Sequence, residues 1–295
     1  MTYEQLWHRL SAIYEPGEAK AITRLVLKER FGLTMADILC GKVTQLSADS
    51  QLTLENMFCR LEKAEPVQYV LGRACFCGRY FKVAPGVLIP RPETEELCQW
   101  VIDEQTDSRR LLDIGTGSGC IAISLALELP STRLTAWDIS TTALQIAREN
   151  ATALGAMVRC EQRDILQACA NGDEHWDAIV SNPPYVCQRE AAYMQRNVLD
   201  HEPGLALFVP DENPLLFYRA IASYALQTLA PGGCLYFELN PHFSDQVGQL
   251  LTDLGLTDII FRSDQFHKKR FVRGMKGMRD EENEHNKHKD EERNK

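Results

Sequence analysis

A glycine turn flanked by acids carries the first suggestion of chemistry. Asp113-Ile114-Gly115-Thr116-Gly117-Ser118-Gly119 leads out of a short apolar run, Leu111–Ile114, into a helix-forming one. Glycines there permit a tight turn and close approach of a ligand to the backbone, and the helix start beyond offers N–H groups. Such a turn alone is a weak signal. Gly117-Ser118-Gly119-Cys120-Ile121-Ala122 also satisfies the dinucleotide pattern G-x-G-x-x-A. Asp113 points elsewhere, because a carboxylate beside the turn repels a pyrophosphate and favours a cation. Asp138, at the end of the next apolar run, stands where a carboxylate accepts hydrogen bonds from ribose hydroxyls. Asp164 follows the strand after that, where an adenine edge would fall. Adenosine with a cationic, phosphate-free tail is S-adenosylmethionine, and these positions predict it as the cofactor.

The second motif is Asn182-Pro183-Pro184-Tyr185, directly after the apolar run Asp177–Val180. Asn-Pro and Pro-Pro also occur in ordinary loops. Here they leave the same rim of the sheet as the acids. Two prolines stiffen the backbone and would hold the Asn182 side-chain carbonyl and the Pro183 backbone carbonyl as converging acceptors. Such a pair suits a planar NH₂ group. Tyr185 can pack on a flat amide or base. Methyl transfer to a positioned nitrogen would draw much of its rate from near-attack geometry.

The elements that must position these groups are legible in the surrounding pattern. Residues 1–70 read as helices: Leu6, Leu10 and Ile13, then Ile22, Leu25 and Val26, recur at helical spacing, with Pro16-Gly17 as the break between them. Met35–Leu39 reads as a third helix ended by Gly41, and Leu52, Met57, Phe58 and Leu61 mark a fourth, ended near Pro66. In 71–94, glycines and prolines punctuate two β-like runs, Tyr80–Val83 and Val87–Ile89, which predicts a hairpin and linker. Pro92 followed by Glu93, Glu95 and Glu96 reads as a helix start. Residues 95–274 then alternate strands and helices, which predicts an α/β domain with helices on both faces of its sheet. Its strands are placed at 111–114, 134–137, 158–161, 177–180, 234–238, 258–261 and 270–273, with helices to about 129 and over 141–153, 213–229 and 243–254. Residues 275–295 are densely charged, with Met278 the one apolar side chain after Met275, and predict a disordered tail.

With these residues in view, the chain resembles a known family. Asp113–Gly119 resembles the cofactor loop of class I methyltransferases, and Asn182–Tyr185 matches enzymes that methylate planar amino groups. Leu88-Ile89-Pro90-Arg91-Pro92-Glu93-Thr94-Glu95, with Glu202-Pro203 and Ala206-Leu207, makes the chain similar to the bacterial release-factor glutamine methyltransferases, the PrmC/HemK family. The resemblance spans about residues 1–274. It implies a Rossmann-like, mostly parallel seven-stranded sheet behind a small all-helical recognition domain. It implies methyl transfer from S-adenosylmethionine to the side-chain amide nitrogen, N5, of the glutamine in the Gly-Gly-Gln loop of class I peptide chain release factors. By position, Asp113, Gly115, Thr116, Gly117, Ser118, Gly119, Asp138, Asp164, Ile165 and Asn182 would hold the cofactor. Asn182, Pro183, Pro184 and Tyr185 would hold the glutamine. Ile165 departs from relatives that carry an aromatic residue there. Glu202 could line the pocket or cap a loop, and Arg91, between two prolines of the linker, either covers the active site or is a linker charge paired with Glu93 or Glu95.

Composition narrows the alternatives. The chain has 295 residues, 44% of them hydrophobic and 25% charged, with a formal net charge of −9. Residues 1–70 and 276–295 each carry −1, so −7 falls on residues 71–275. That balance disfavours direct nucleic-acid binding, which needs Lys and Arg against phosphates. The ten cysteines are scattered without a Cys-x-x-Cys pair, and His201 and His242 lack partners at metal spacing. Reduced cysteines and no metal are therefore expected. No apolar run suits a membrane span and the first residues do not read as a signal peptide, so a cytoplasmic enzyme is expected. Other readings remain open. They are a glutamine methyltransferase acting on a ribosomal protein, a methyltransferase for RNA or DNA bases, a non-catalytic module that only binds the cofactor, and a nicotinamide dehydrogenase.

Overall fold

The structure is a computed structural model that describes residues 1–107, 109–170, 172 and 175–278. Its N-terminal part is helical: α1 (Tyr3–Leu10), α2 (Pro16–Phe31), α3 (Met35–Leu39), α4 (Ala48–Leu61) and α5 (Val67–Leu71). Thr2 and Gln5 cap α1 reciprocally, as Thr34 and Asp37 cap α3. Pro16 occupies the first turn of α2, so Pro16-Gly17 opens that helix as well as ending the segment before it. Leu6, Leu10, Val26, Leu27, Phe58 and Leu61 are fully buried together. Arg9 clamps α1 to α4, bonding Glu55 at 2.8 Å and Glu62 at 2.7 Å.

A hairpin follows, β1 (Arg73–Phe76) antiparallel to β2 (Arg79–Lys82). The expected hairpin is present, but its strands differ from the expected runs. Val87–Ile89 is irregular backbone. The Val87 and Ile89 side chains bury against Tyr69 of α5 and against Ala143 and Ile146 further along the chain, so the apolar character of the run serves packing of a linker.

The remaining elements are α6 (Pro92–Glu104), β3 (Arg110–Ile114), α7 (Cys120–Glu128), β4 (Arg133–Asp138), α8 (Thr141–Leu154), β5 (Val158–Gln162), β6 (Trp176–Ser181), β7 (Val186–Cys187), α9 (Arg196–Leu199), β8 (Phe208–Val209), α10 (Leu216–Thr228), β9 (Leu229–Glu238), α11 (Ser244–Asp253), β10 (Leu256–Ser263) and β11 (Lys269–Lys276). Seven strands form one sheet in the order β10-β11-β9-β6-β3-β4-β5. β9, β6, β3, β4 and β5 run parallel, and β11 and β10 are added antiparallel at one edge. This is the mostly parallel, seven-stranded sheet that the resemblance implies. Strand alternation sends Leu111, Val180 and Tyr236 to the face covered by α6 and α7. It sends Leu112, Ile179 and Phe237 to the face covered by α10 and α11. β11 runs past the expected domain end at 274, to Lys276, and the rest of the charged tail from 279 onward lies outside the described residues. No described helix is long and apolar enough to cross a membrane. Four cysteines, Cys98, Cys120, Cys187 and Cys234, are buried as small core residues, whereas Cys40, Cys59, Cys75 and Cys169 are exposed.

The helical part is bound to the sheet part through the linker. Tyr69 Oη donates to the Val87 carbonyl at 2.6 Å, and Arg73 bonds the Glu29 carboxylate at 2.8 Å. His201 contacts the Lys63 carbonyl at 3.1 Å across the same junction.

Candidate active site

The parallel strands set the site at their carboxyl ends, where open α/β sheets bind ligands. The glycine loop after β3 is drawn toward β4: the Gly115 and Thr116 N–H groups both donate to the Trp137 carbonyl, at 2.9 and 3.0 Å. The Asp138 carboxylate accepts from Gly117 N–H and from Ser140 N–H, each at 2.9 Å. Asp138 therefore holds the loop shut as well as facing the cavity. Burial pushes its pKa upward against those two backbone bonds.

Asp113 sits elsewhere than its charge suggested. Residue alternation along β3 turns it, like Leu111, to the α7 face, where it is fully buried. Its Oδ2 accepts from Thr116 Oγ1 at 2.6 Å and from Ala122 N–H at 3.3 Å, so it braces the loop and the first turn of α7 from beneath. Its Oδ1 has no partner among the described residues, and burial pushes its pKa up to about 7. Asp113 does not line the cavity, and neither do Thr116, Ser118 or Gly119. The loop backbone gives a reason at Gly119. With φ +82°, it packs against Ala147 of α8 so closely that an added Cβ would lie 3.1 Å from the Ala147 Cβ.

A cavity of about 320 Å³ opens above the loop. Gly115, Gly117, Asp138, Asp164, Ile165 and Asn182 line it, together with the linker residues Val87 and Leu88. Asp164 accepts from Leu166 N–H at 2.9 Å and from Gln167 Nε2 at 3.0 Å, which fixes its carboxylate at the rim. Ile165 packs on the apolar cluster of the α10 face and offers an aliphatic wall. An ideal Cβ at Gly117 would meet nothing within 4 Å. The space around this lining residue is open.

Asn182, Pro183 and Pro184 form the other end of the cavity, directly after β6. A second, smaller cavity of about 50 Å³ adjoins it, lined by Arg91, Tyr185, Val186 and Leu207 and sharing Leu88, Asn182, Pro183 and Ala206. Asn182 Nδ2 donates to Thr94 Oγ1 at 3.3 Å, and Thr94 Oγ1 donates to Glu238 Oε2 at 2.7 Å. Tyr185 Oη donates to the other oxygen of Glu238 at 3.0 Å. Asn240 Nδ2 holds the Tyr185 carbonyl at 3.2 Å. Thr94, Glu238 and Asn240 escaped sequence reasoning because α6, β9 and the turn after β9 meet Asn182 and Tyr185 only in the folded chain.

Arg91 pairs with Glu202 at 2.5 Å, in place of the expected Glu93 or Glu95. Glu202 is buried and its second oxygen accepts from Ile89 N–H at 3.0 Å. A short-range partner was expected because Glu93 and Glu95 are near in sequence. Both sit in the first turn of α6, whereas Glu202 is folded against the linker. The linker and the segment 203–206 thus form one roof over both cavities.

Known proteins resemble this chain along most of its length. A family model described as the PrmC N-terminal domain matches residues 3–72, and one described as the methyltransferase small domain matches residues 94–201. The release factor glutamine methyltransferase of Bacteroides thetaiotaomicron is 50% identical over 263 residues, covering 89% of this chain and 95% of that protein. The release factor glutamine methyltransferase of Flavobacterium psychrophilum is 36% identical over 274 residues, covering 91% and 96%. The crystal structure of a methyltransferase from Pyrococcus furiosus shares the fold at 17% identity, with a TM-score of 0.52 over 76% of this chain and 99% of that one. Identity of this extent across both the helical part and the sheet part shows that the chain belongs to the release factor glutamine methyltransferase family and is a methyltransferase.

Proposed function

We propose that the protein transfers a methyl group from S-adenosylmethionine to the side-chain amide nitrogen of the glutamine in the Gly-Gly-Gln loop of class I peptide chain release factors. One observation carries this reading: Asn182 and Pro183 line both adjoining cavities. A donor methyl in the larger space and an acceptor nitrogen in the smaller one meet at these two residues.

The residues present fit the cofactor. Asp138 would accept from the ribose hydroxyls with lone pairs beyond those used by Gly117 and Ser140. Ile165 would cover the adenine, with Asp164 at its edge. Gly115 and Gly117 would let the cofactor lie against backbone. Asp113, Thr116, Ser118 and Gly119 would shape the loop from behind. The cofactor supplies a sulfonium-bound methyl group. In the smaller cavity, the Asn182 Oδ1 and the Pro183 carbonyl would accept the two protons of the glutamine NH₂, and Tyr185 would pack on the flat amide. Held there, the glutamine nitrogen would turn its lone pair toward the methyl group that the cofactor would supply from the larger cavity. Among the described residues lining the smaller cavity there is no carboxylate or histidine. The proton would leave the nitrogen after transfer, and the rate would rest on positioning.

The helical part, α1–α5, would dock the release factor, and action in the cytoplasm follows from that partner. A nucleic-acid base amino group fits the same acceptors, but the −7 charge of residues 71–275 opposes a polyanion. The test is incubation with tritiated S-adenosylmethionine and one of three acceptors: a purified release factor, its Gln→Ala variant in the Gly-Gly-Gln loop, or deproteinised ribosomal RNA. Label is expected on the unmodified release factor alone. Label on RNA, or equal label on the Gln→Ala variant, overturns the proposal.

A further inference from the structure

We infer that Glu238 is a positioning residue which, through Thr94, fixes the direction in which the Asn182 side-chain amide faces. The inference rests on the reading that Asn182 accepts a hydrogen bond from an acceptor NH₂. A carboxamide has one donor end and one acceptor end of nearly the same shape, so its useful orientation must be imposed by its neighbours. Asn182 is met by Thr94 Oγ1 at 3.3 Å. A hydroxyl can either donate or accept, so Thr94 alone imposes nothing.

The next bond in the chain removes the ambiguity. Thr94 Oγ1 lies 2.7 Å from Glu238 Oε2, and Tyr185 Oη lies 3.0 Å from Glu238 Oε1. An ionised carboxylate has no proton to give, so both hydroxyls must donate to it. Thr94 has then spent its one proton and offers Asn182 only lone pairs. The NH₂ end of Asn182 must face Thr94, and Oδ1 must face the cavities. The same carboxylate fixes the Tyr185 ring, so one buried acid orients both side chains assigned to the acceptor. Glu238 is itself buried at the end of β9, where its backbone carbonyl accepts from Tyr218 Oη at 3.1 Å.

The arrangement has a proton dependence. The groups that act on Glu238 are Thr94 and Glu93 of α6, Tyr185 after β6, Tyr218 of α10 and Arg270 of β11. Burial raises its pKa, the two hydroxyl bonds and Arg270 oppose the rise, and Glu93 adds to it. Once protonated, Glu238 must donate to one hydroxyl. If Thr94 receives that proton, its own hydrogen turns to Asn182. The amide then reverses and presents NH₂ to NH₂. Transfer therefore falls as pH falls through the Glu238 ionisation, to the extent that Thr94 rather than Tyr185 receives the proton.

Three variants test this, with kcat, the acceptor KM and the cofactor Kd measured separately. Thr94→Val keeps the shape and deletes the relay. Its kcat is expected to fall about 10- to 100-fold with the cofactor Kd within about 3-fold of wild type. Thr94→Ser restores the hydroxyl and is expected to return kcat to within about 3-fold. Glu238→Gln cannot ionise and is expected to lose the acid limb of the wild-type kcat–pH profile, a readout that stands even if Thr94→Val fails to fold. Wild-type kcat in Thr94→Val, equal loss in Thr94→Ser, or an unchanged acid limb in Glu238→Gln overturns the inference. The identity of the labelled acceptor tests the proposed substrate separately, because any planar NH₂ acceptor needs the same facing of Asn182.

Discussion

Two alanine substitutions in one glycine loop should fail in opposite ways. At Gly119, φ is +82°, and an L side chain in the left-handed region costs roughly 1–2 kcal/mol. The new Cβ would also lie 2.9 Å from Ile123 Cδ1, 3.1 Å from Ala147 Cβ and 3.3 Å from Ala147 Cα. The Ile123 tip can rotate away. Ala147 has no flexible end to move, so α7 and α8 must separate, and overpacking of this kind adds about 1–3 kcal/mol. The sum is a loss of about 2–5 kcal/mol, a large share of the roughly 5–15 kcal/mol of a typical domain. At Gly117, φ is +55° and nothing lies within 4 Å of the new Cβ, so only the conformational cost of roughly 1–2 kcal/mol applies. Gly117 lines the larger cavity, where an added methyl should weaken cofactor binding about 10-fold or more. Urea unfolding gives the stability of each variant, and calorimetry with S-adenosylmethionine gives its Kd. Gly119→Ala should show the larger fall in midpoint, and Gly117→Ala the larger rise in Kd for its loss of stability. Equal midpoints, or an unchanged Kd in Gly117→Ala, would refute the assignment of one glycine to packing and the other to the ligand.

Further outcomes follow from the same geometry. Asn182→Ala should lower kcat by roughly 10²- to 10³-fold, the scale for losing one preorganised polar contact, while calorimetry finds the cofactor Kd little changed. A parallel collapse in cofactor affinity would make Asn182 chiefly a cofactor ligand. Asp138→Ala removes a charged acceptor and the brace on Gly117 N–H, and should raise the cofactor Kd by about 10- to 100-fold, equivalent to the 1.5–3 kcal/mol range of charged hydrogen bonds. Asp113, with a pKa of about 7 against an unfolded value of 3.8, favours folding most when protonated. Stability from this group is therefore full below about pH 4 and falls by up to about 4 kcal/mol as pH rises toward 7. Asp113→Asn should flatten that slope in unfolding curves taken across pH 4–7, and an unaltered slope would assign the loss to other groups.

What could be read from the residues, and what could not, divides by distance along the chain. The β3–loop–α7–β4 unit was legible because its signals are local: an apolar run, glycines, a second apolar run and an acid. The helices of residues 1–70 were legible because their apolar spacing and caps lie within each segment. Val87–Ile89 misled because an apolar run looks the same whether it joins a sheet or packs a linker beneath Tyr69. Arg73–Phe76 was missed as a strand because its partner in the hairpin defines it more than its own composition does. Asp113 was placed toward the ligand from its charge, but the period of β3 turns it under α7. The tie from Arg91 to Glu202 and the chain from Asn182 through Thr94 to Glu238 join residues far apart in sequence, and nothing local announces them.

The linker roof bears on how such proteins diversify. Tyr69 grips Val87 from the helical side, and Glu202 grips Ile89 and Arg91 from the catalytic side. The seam between the helical part and the sheet part thus lies better at the start of α6, after Arg91, than at the end of α5. A chimaera that takes its helical part from a relative and rejoins at residue 72 would set a foreign residue 69 against the native Val87 and reshape the wall of the larger cavity. One that carries the foreign chain through residue 91 would keep Tyr69 and Val87 matched, but its residues 87 and 89 would still have to pack against Ala143 and Ile146, and its residue 91 would still have to offer a cation to Glu202. In any exchange of the helical part, the linker is thus the segment that must match both sides at once.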